Sequence, residues 1–385
     1  MVPTKKPVLL LGAGFSCDVA NECWGHMPDG DSILEESFRW ARSAGLTRRY
    51  HVSMDFLRQI WRVRSYNDLA SVDIEECLDL VATPGETIAG RYNSDVIFGQ
   101  LTELVVRYLA HCDYQMSKIG LKASGHEGYH TPASLWLYRL GNGLFGRPPY
   151  AFVSLNWDLL VDKATWEYAP YNDISMVDCL LSMYGFFPKE VYDGDKVYRH
   201  VRRTAFKKIA DIPLLLKLHG SANWFRCPKC QYLRVENNLR AIESLVRFPN
   251  QSHHRCPNDR TPLRLAIVPP VWNKKLGWGP FPSIWRSALD SLSDTDHLVV
   301  IGVGFREADV GLRSLLRKAA SYWRKTPRIT LVGRSIESRA YVRKVTDLLQ
   351  TKEHHISVFR DLRALLGNNA PWPRGTHPKK EDSTG

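Results

Sequence analysis

The chain has 385 residues, 44% of them hydrophobic and 24% charged, with a formal net charge of +12. That composition belongs to a soluble globular protein with more than one sub-domain, and no apolar run reaches the ~18–20 residues that a membrane span needs. The positive balance favours phosphate-bearing cofactors, polyanions or an acidic partner, and does not single out nucleic acid.

Near the amino terminus, Lys5 and Lys6 precede Val8-Leu9-Leu10-Leu11. This run is too short for a signal peptide and lacks its small-residue cleavage pattern, so the expected compartment is the cytoplasm. It reads instead as a short buried strand. Gly12-Ala13-Gly14-Phe15-Ser16 then turns into a helix, whose first N–H groups suit a phosphate. A plain structural turn between strand and helix is the competing reading. Cys17 stands where the dinucleotide fingerprint would place a third small residue.

From 32 to 145 the apolar spacing is mostly helical, with Ile33, Leu34 and Phe38, then Leu69, Val72, Ile74, Cys77, Leu78 and Val81, then Val96, Leu101, Leu104, Val105 and Leu109. This reads as a helical insertion. Tyr150 to Leu155 is the next strand. It ends in Asn156-Trp157-Asp158, where the amide and carboxylate could fix a ribose or water, or simply form an Asx turn capping a helix over 159–166. Residues 170–212 read as irregular and carry a basic run, Arg199, His200, Arg202, Arg203, Lys207 and Lys208. This run reads as a solvated or partner-facing surface, and any contact with nucleic acid as indirect or weak.

Leu214 to Leu218 reads as a third buried strand that runs into His219-Gly220-Ser221. An imidazole at a strand's carboxyl end sits where α/β sheets bind ligands and can serve as a general base. Cys227-Pro228-Lys229-Cys230 and His253-His254-Arg255-Cys256 follow, with a spacing that suits one tetrahedral zinc. The expected ligands are Cys227, Cys230, His253 and Cys256, with His254 as the substitute fourth. Asp259 stands where a second Cys-x2-Cys would place its last cysteine. Such a closed site is structural. The other five cysteines are scattered and read as reduced thiols.

Leu265 to Val268 returns to the sheet. After an amphipathic helix marked by Ile284, Trp285, Ala288, Leu289 and Leu292, His297 to Ile301 forms another strand, ending in Gly302-Val303-Gly304-Phe305. Asp309 leads the next helix. Ile329 to Val332 repeats the design with Gly333 and Arg334. Ile356 to Phe359 is a last short strand, and a flexible tail follows from 367. The fold class is therefore α/β, a doubly wound, mainly parallel, Rossmann-like sheet with a helical insertion and a small zinc-binding module. The nucleotide-binding domain is expected to comprise 1–31, 146–223 and 260–366, with the insertion over 32–145 and the zinc-ribbon-like module over 224–259.

In this order, Gly12 to Ser16, Asn156-Trp157-Asp158, Leu218-His219-Gly220-Ser221, the zinc module and Gly302-Val303-Gly304 resemble the sirtuin family. The resemblance implies NAD as bound nucleotide and a structural zinc. It implies that Gly12, Ala13, Gly14, Phe15 and Ser16 hold the diphosphate, and that Asn156, Asp158 and His219 are catalytic. It also implies that Gly302, Gly304 and Phe305, with Gly333 and Arg334, lie near the adenosine. The deacylase segment Pro-Asp-Phe-Arg is replaced by a displaced Met27-Pro28-Asp29-Gly30, and Leu155-Asn156 stands for Gln-Asn. With the long insertion and Trp157, these departures look more like the sirtuin-like effectors of bacterial antiphage systems. They imply an NAD+ glycohydrolase, a homo-oligomer and, in some systems, a HerA-type ATPase partner. A deacylase and a non-catalytic NAD- or ADP-ribose-sensing subunit are the alternatives.

Overall fold

A computed structural model describes residues 6–367 apart from 23–25, 83–86, 89–90, 124–135, 138, 142–144, 146–148, 169–182, 185–189, 194–195, 200–212, 239, 243, 245–253, 269–276, 308 and 335–337. Six parallel strands form the main sheet. They are β1 (Pro7–Leu11), β4 (Ala151–Ser154), β7 (Leu214–Lys217), β11 (His297–Ile301), β12 (Arg328–Val332) and β13 (Ile356–Phe359). Every residue of β1, β4 and β11 is buried. That burial is why these strands read as unbroken apolar runs and not as alternating ones.

Strand order in space is β13-β12-β11-β1-β4-β7. Counted along the chain, the parallel strands therefore lie 6-5-4-1-2-3. The chain steps outward from β1 to β4 and β7, then returns to the other side of β1 for β11, β12 and β13. This is the dinucleotide-fold order, and its switch point lies between β1 and β11.

The register brings the strands' carboxyl ends to one level. Leu11 pairs with Ser154 and with Ile301, Ser154 with Lys217, and Ile301 with Val332. One residue further on stand Gly12, Leu155, Leu218, Gly302 and Gly333. Continuing the β4–β7 register by two residues sets His219 abreast of Asn156. The backbone bonds Leu155 N–H to Leu11 O (2.9 Å) and Leu218 N–H to Ser154 O (3.0 Å) extend the ladder in that direction.

Helix α1 (Ala13–Glu22) starts directly from the β1 turn. Between it and β4 lie α2 (Ile33–Ser43), α3 (His51–Ile60), α4 (Ile74–Leu80) and the long α5 (Ser94–Ala123), as the helical spacing predicts, with the short strands β2 (Thr87–Ile88) and β3 (Tyr92–Asn93) between α4 and α5. Helix α6 (Leu160–Tyr168) follows β4. On the β11 side, α7 (Phe281–Ser293), α8 (Val310–Ser321) and α9 (Arg339–Leu349) flank the strands, and α10 (Leu362–Leu366) follows β13. In α8 the buried residues Leu312, Leu315, Leu316 and Ala319 form one apolar stripe. No helix among the described residues is long and apolar enough to cross a membrane.

A second sheet was not expected. Its order is β10-β8-β9-β5-β6, where β5 is Glu190–Asp193, β6 Lys196–Arg199, β8 Gly220–Arg226, β9 Leu233–Glu236 and β10 Arg264–Ile267. Two corrections follow. Part of the segment read as irregular contributes a strand pair, and β10 joins this smaller sheet, not the main one. β7 also leads through a tight turn straight into β8, with no helix between them. Gly220 makes that turn at φ +79°, and a Cβ there would lie 2.0 Å from Ala266 O. Of the basic run, His200 to Lys208 lies outside the described residues.

Candidate functional site

The strand ends enclose a cavity of about 440 Å³ lined by Gly12, Ala13, Gly14, Asn156, His219, Gly302, Gly304, Phe305, Gly333 and Arg334, among others. That size suits a ligand pocket. Gly12, Gly14 and Gly302 are obligatory, because the β1 and β11 turns touch backbone to backbone. Gly14 N–H donates to Gly302 O at 3.2 Å. Gly302 has φ +63°, and a Cβ on it would sit 2.4 Å from Gly14 Cα and Phe15 N. Ala13 and Gly14, at the start of α1, line the cavity, where helix N–H groups favour phosphate.

Not every expected contact residue faces the cavity. Phe15 is fully buried in the core, and Ser16 and Asp158 sit behind the lining. Their task is to hold Asn156 in place. Ser16 Oγ donates to Asp158 Oδ2 at 2.7 Å, and Asp158 Oδ1 accepts Leu160 N–H at 3.1 Å, so the Asx turn is real. Asn156 Nδ2 donates to Gly12 O at 2.9 Å and to Ser16 Oγ at 3.0 Å. A carbonyl oxygen can only accept, so the orientation of this amide is settled. Oδ1 is left as its unengaged end, an acceptor for a hydroxyl or water.

Sequence reasoning missed the anchor beneath. Lys217 is fully buried and donates to Asp162 Oδ2 at 2.7 Å and to Asp158 O at 2.5 Å. Tyr184 OH donates to the other oxygen of Asp162 at 2.8 Å. From α5, Asp113 Oδ2 accepts Leu159 N–H at 3.0 Å. Burial pushes the Asp113 carboxyl up to about 7 and also raises Asp158, with Lys217 opposing the shift in Asp158. The Asn156–Asp158 turn is thus tied to β1, β7 and α5 together.

A second omission is Asp309. His219 is 2% exposed, its Nδ1 3.1 Å from Val268 O and its Nε2 3.2 Å from Asp309 Oδ2. In the sequence Asp309 stands out only as the residue before a helix. Asp18, Asp29, Asp31 and Glu75 also line the cavity, against the cations Arg306 and Arg334. Arg306 bonds to Asp31 and, at 2.8 Å, to Asp73, which draws the β11 turn toward the start of α4.

The metal cluster departs from expectation in its fourth member. Among the described residues, ligand atoms of Cys227, Cys230, Cys256 and Asp259 lie within 4.8 Å of one another. His253 is outside the described residues. His254 is not in the cluster, and its Nε2 faces Ser244 Oγ at 3.4 Å. Two matching knuckles explain Asp259. Cys227 O accepts Gln231 N–H (3.2 Å) and Cys256 O accepts Arg260 N–H (2.9 Å), with Gln231 at φ 63° and Arg260 at φ 59°. Asp259 occupies in the second knuckle the place of Cys230 in the first. The Thr261 N–H holds its carboxyl down at about 2, and the Asn258 amide lowers the Cys230 thiol. Three sulfurs and one carboxylate fit tetrahedral zinc. Asp259→Ala is expected to release the metal and lower the thermal midpoint, while Asp259→Cys retains it. Metal content by mass spectrometry checks both.

Neither a family model nor a curated protein matches the chain. Among solved structures, it is similar to a Sir2 homologue in complex with NAD, at TM-score 0.43 and 14% identity over 96% of this chain and 89% of that one. It is similar to a structure described as the basis for the mechanism and regulation of Sir2 enzymes, at 0.41 and 12% over 95% and 91%. A third, on sirtuin substrate affinity, gives 0.34 and 11% over 94% and 91%. Likeness of this degree leaves the functional reading to the pocket itself.

Proposed function

We propose that the protein hydrolyses NAD+ at the nicotinamide–ribose bond, releasing nicotinamide and ADP-ribose. The observation that carries this reading is that the glycine crevice at the sheet's switch point, Asn156 and His219 all open into one cavity. Gly12, Ala13 and Gly14 would hold the diphosphate on the N-terminus of α1. Gly302, Gly304, Gly333 and Arg334 would lie along the adenosine half. The acidic wall of Asp29, Asp31 and Glu75 suits a ligand that carries a cationic ring beside its phosphates.

Cleavage passes through an oxocarbenium-like state, as in glycoside hydrolysis. Nicotinamide leaves from a cationic ring and needs no strong acid. The reaction does need a fixed ribose and a positioned water. Asn156 Oδ1 accepts from that water or a ribose hydroxyl, His219 acts as base, and Asp158 orients the loop from behind.

Incubation of the purified protein with NAD+, with and without an acylated peptide, tests the reading. Nicotinamide release without peptide is the expected result, and His219→Ala should reduce it by ~10²–10⁴. Consumption only in the presence of peptide would indicate a deacylase, and binding without turnover a sensing subunit. The same reading places the protein in antiphage defence, as an NAD-depleting homo-oligomer acting alone or with a HerA-type ATPase. NAD levels in infected cells with and without such an ATPase test that setting.

A further inference from the structure

We propose that the outer face of α8 and α9 binds the phosphate backbone of a nucleic acid duplex. This surface is separate from the nicotinamide chemistry proposed above and does not depend on it. Residues 310–367 carry thirteen Lys and Arg against four Asp and Glu, a balance of +9 out of the chain's +12. The excess charge is therefore not spread over the molecule. It belongs to the units β11-α8-β12 and β12-α9-β13, whose parallel strands are neighbours in the sheet. Right-handed crossovers put both helices on the same face of that sheet, where α8 packs against α9.

On α8 the buried stripe of Leu312, Leu315, Leu316 and Ala319 leaves Arg317 and Lys318 exposed on the opposite side. On α9 Arg343 is exposed, and Arg324, Lys325 and Arg328 are exposed in the connection from α8 into β12. None of these six cations makes an ion pair with a described residue. Asp347 is the one acid in the two helices. Offsetting the α8 dipole accounts for Lys318 in its last turn and for none of the others. Cations gathered around one helix pair without carboxylate partners repel one another, and an anionic ligand relieves that repulsion.

The chemistry of the face selects among anionic partners. A protein partner needs an apolar core within its interface. The two helices and the connection between α8 and β12 offer one large exposed hydrophobic side chain, Tyr322, at 57%. A phosphate backbone needs no such core and is bound by charge. Twelve residues make α8 about 18 Å long, a span over which a duplex presents on the order of ten phosphates. Neither helix contains Asn or Gln, the side chains that read adenine edges. The face therefore offers contacts that position a duplex without reading its sequence. Arg324, Lys325 and Arg328 precede or open β12, whose far end runs into the cavity-lining Gly333, so they lie at the end of the sheet remote from the cavity.

Fluorescence anisotropy of the full-length chain with a labelled duplex of about 20 base pairs and arbitrary sequence tests this, with salt varied from about 50 to 200 mM. The expected result is binding at the lower salt and a loss of ~10³-fold across that range, as for about six phosphate contacts. The triple variant Arg317→Gln, Lys318→Gln, Arg343→Gln should weaken binding at least ~10-fold and lower the salt slope by about three. A control triple, Arg48→Gln, Arg62→Gln, Arg64→Gln, removes the same charge from exposed positions in the helical insertion and should bind as the wild type does. If the first triple does not fold, Arg317→Gln alone should lower the slope by about one. The readout contains no catalysis, so failure of the hydrolase reading leaves it intact. No binding at the lower salt overturns the proposal, and so do equal losses in the two triples, which would make the attraction a matter of net charge alone. Polyglutamate that competes as well as unlabelled duplex overturns it too, and assigns the face to an acidic protein.

Discussion

Lys217→Ala should lower the unfolding free energy by about 3–5 kcal/mol, the usual cost of breaking a buried ion pair from one side. Lys217 and Asp162 are 1% and 2% exposed at their side chains, so water cannot replace the lost partner. Truncation would strand the Asp162 carboxylate and free the Asp158 carbonyl in the same apolar layer. Lys217→Met fills the volume of the stem and leaves the charge stranded, so it should remain clearly destabilising. Adding Asp162→Asn to Lys217→Met removes the second charge, keeps an acceptor for Tyr184, and should recover most of the loss. Urea denaturation of the full chain at neutral pH measures all three. A loss below about 1 kcal/mol, typical of an exposed pair, would mean that the network does not anchor the Asn156 turn.

That network shows where sequence reasoning reached its limit. The main sheet was legible because strands such as β1, β4 and β11 are buried along their whole length, and β1, β11 and β12 run into glycine while β4 runs into Asn156. The crevice was legible for the same reason, since glycines that touch backbone to backbone admit no substitute. Lys217 was hidden inside Leu214-Leu215-Leu216-Lys217-Leu218, where it reads as part of the strand. A lone lysine in a strand buried on both faces must have a carboxylate partner. That physical demand was available in the sequence, but Asp162 and Asp158, some 55 residues earlier, could be identified as its partners only from the structure.

Asp309 and Asp259 were hidden in different ways. A carboxylate before a helix looks like a cap, and Asp309 is one, so nothing local revealed that its second oxygen reaches an imidazole 90 residues away in sequence. Asp259 carried a usable signal, because Cys256 and Asp259 repeat the spacing of Cys227 and Cys230. The nearby histidines drew attention as better zinc ligands. The knuckle backbone, not ligand softness, decides which side chain is presented. β5 and β6 were missed because they pair within a small sheet that the apolar pattern did not announce.

Asn156→Ala should reduce nicotinamide release by ~10²–10⁴, comparable to loss of a positioned base, with a modest change in stability because only the two hydrogen bonds donated by its side-chain amide are lost. Asn156→Asp should be worse for the fold. It would press a carboxylate oxygen against Gly12 O, which now accepts from Nδ2 at 2.9 Å. The turn of β1 would be pushed from Gly302, and ADP-ribose affinity should fall together with turnover. Alanine, by contrast, should reduce kcat and leave ADP-ribose binding largely intact. The informative comparison is the double variant with His219→Ala. If both side chains act on one water at one ribose, the second removal costs far less than the first, since groups acting as a unit are strongly non-additive. Fully additive losses would place the two residues in separate events, and the shared register of β4 and β7 would then be a feature of the sheet and not of a catalytic centre.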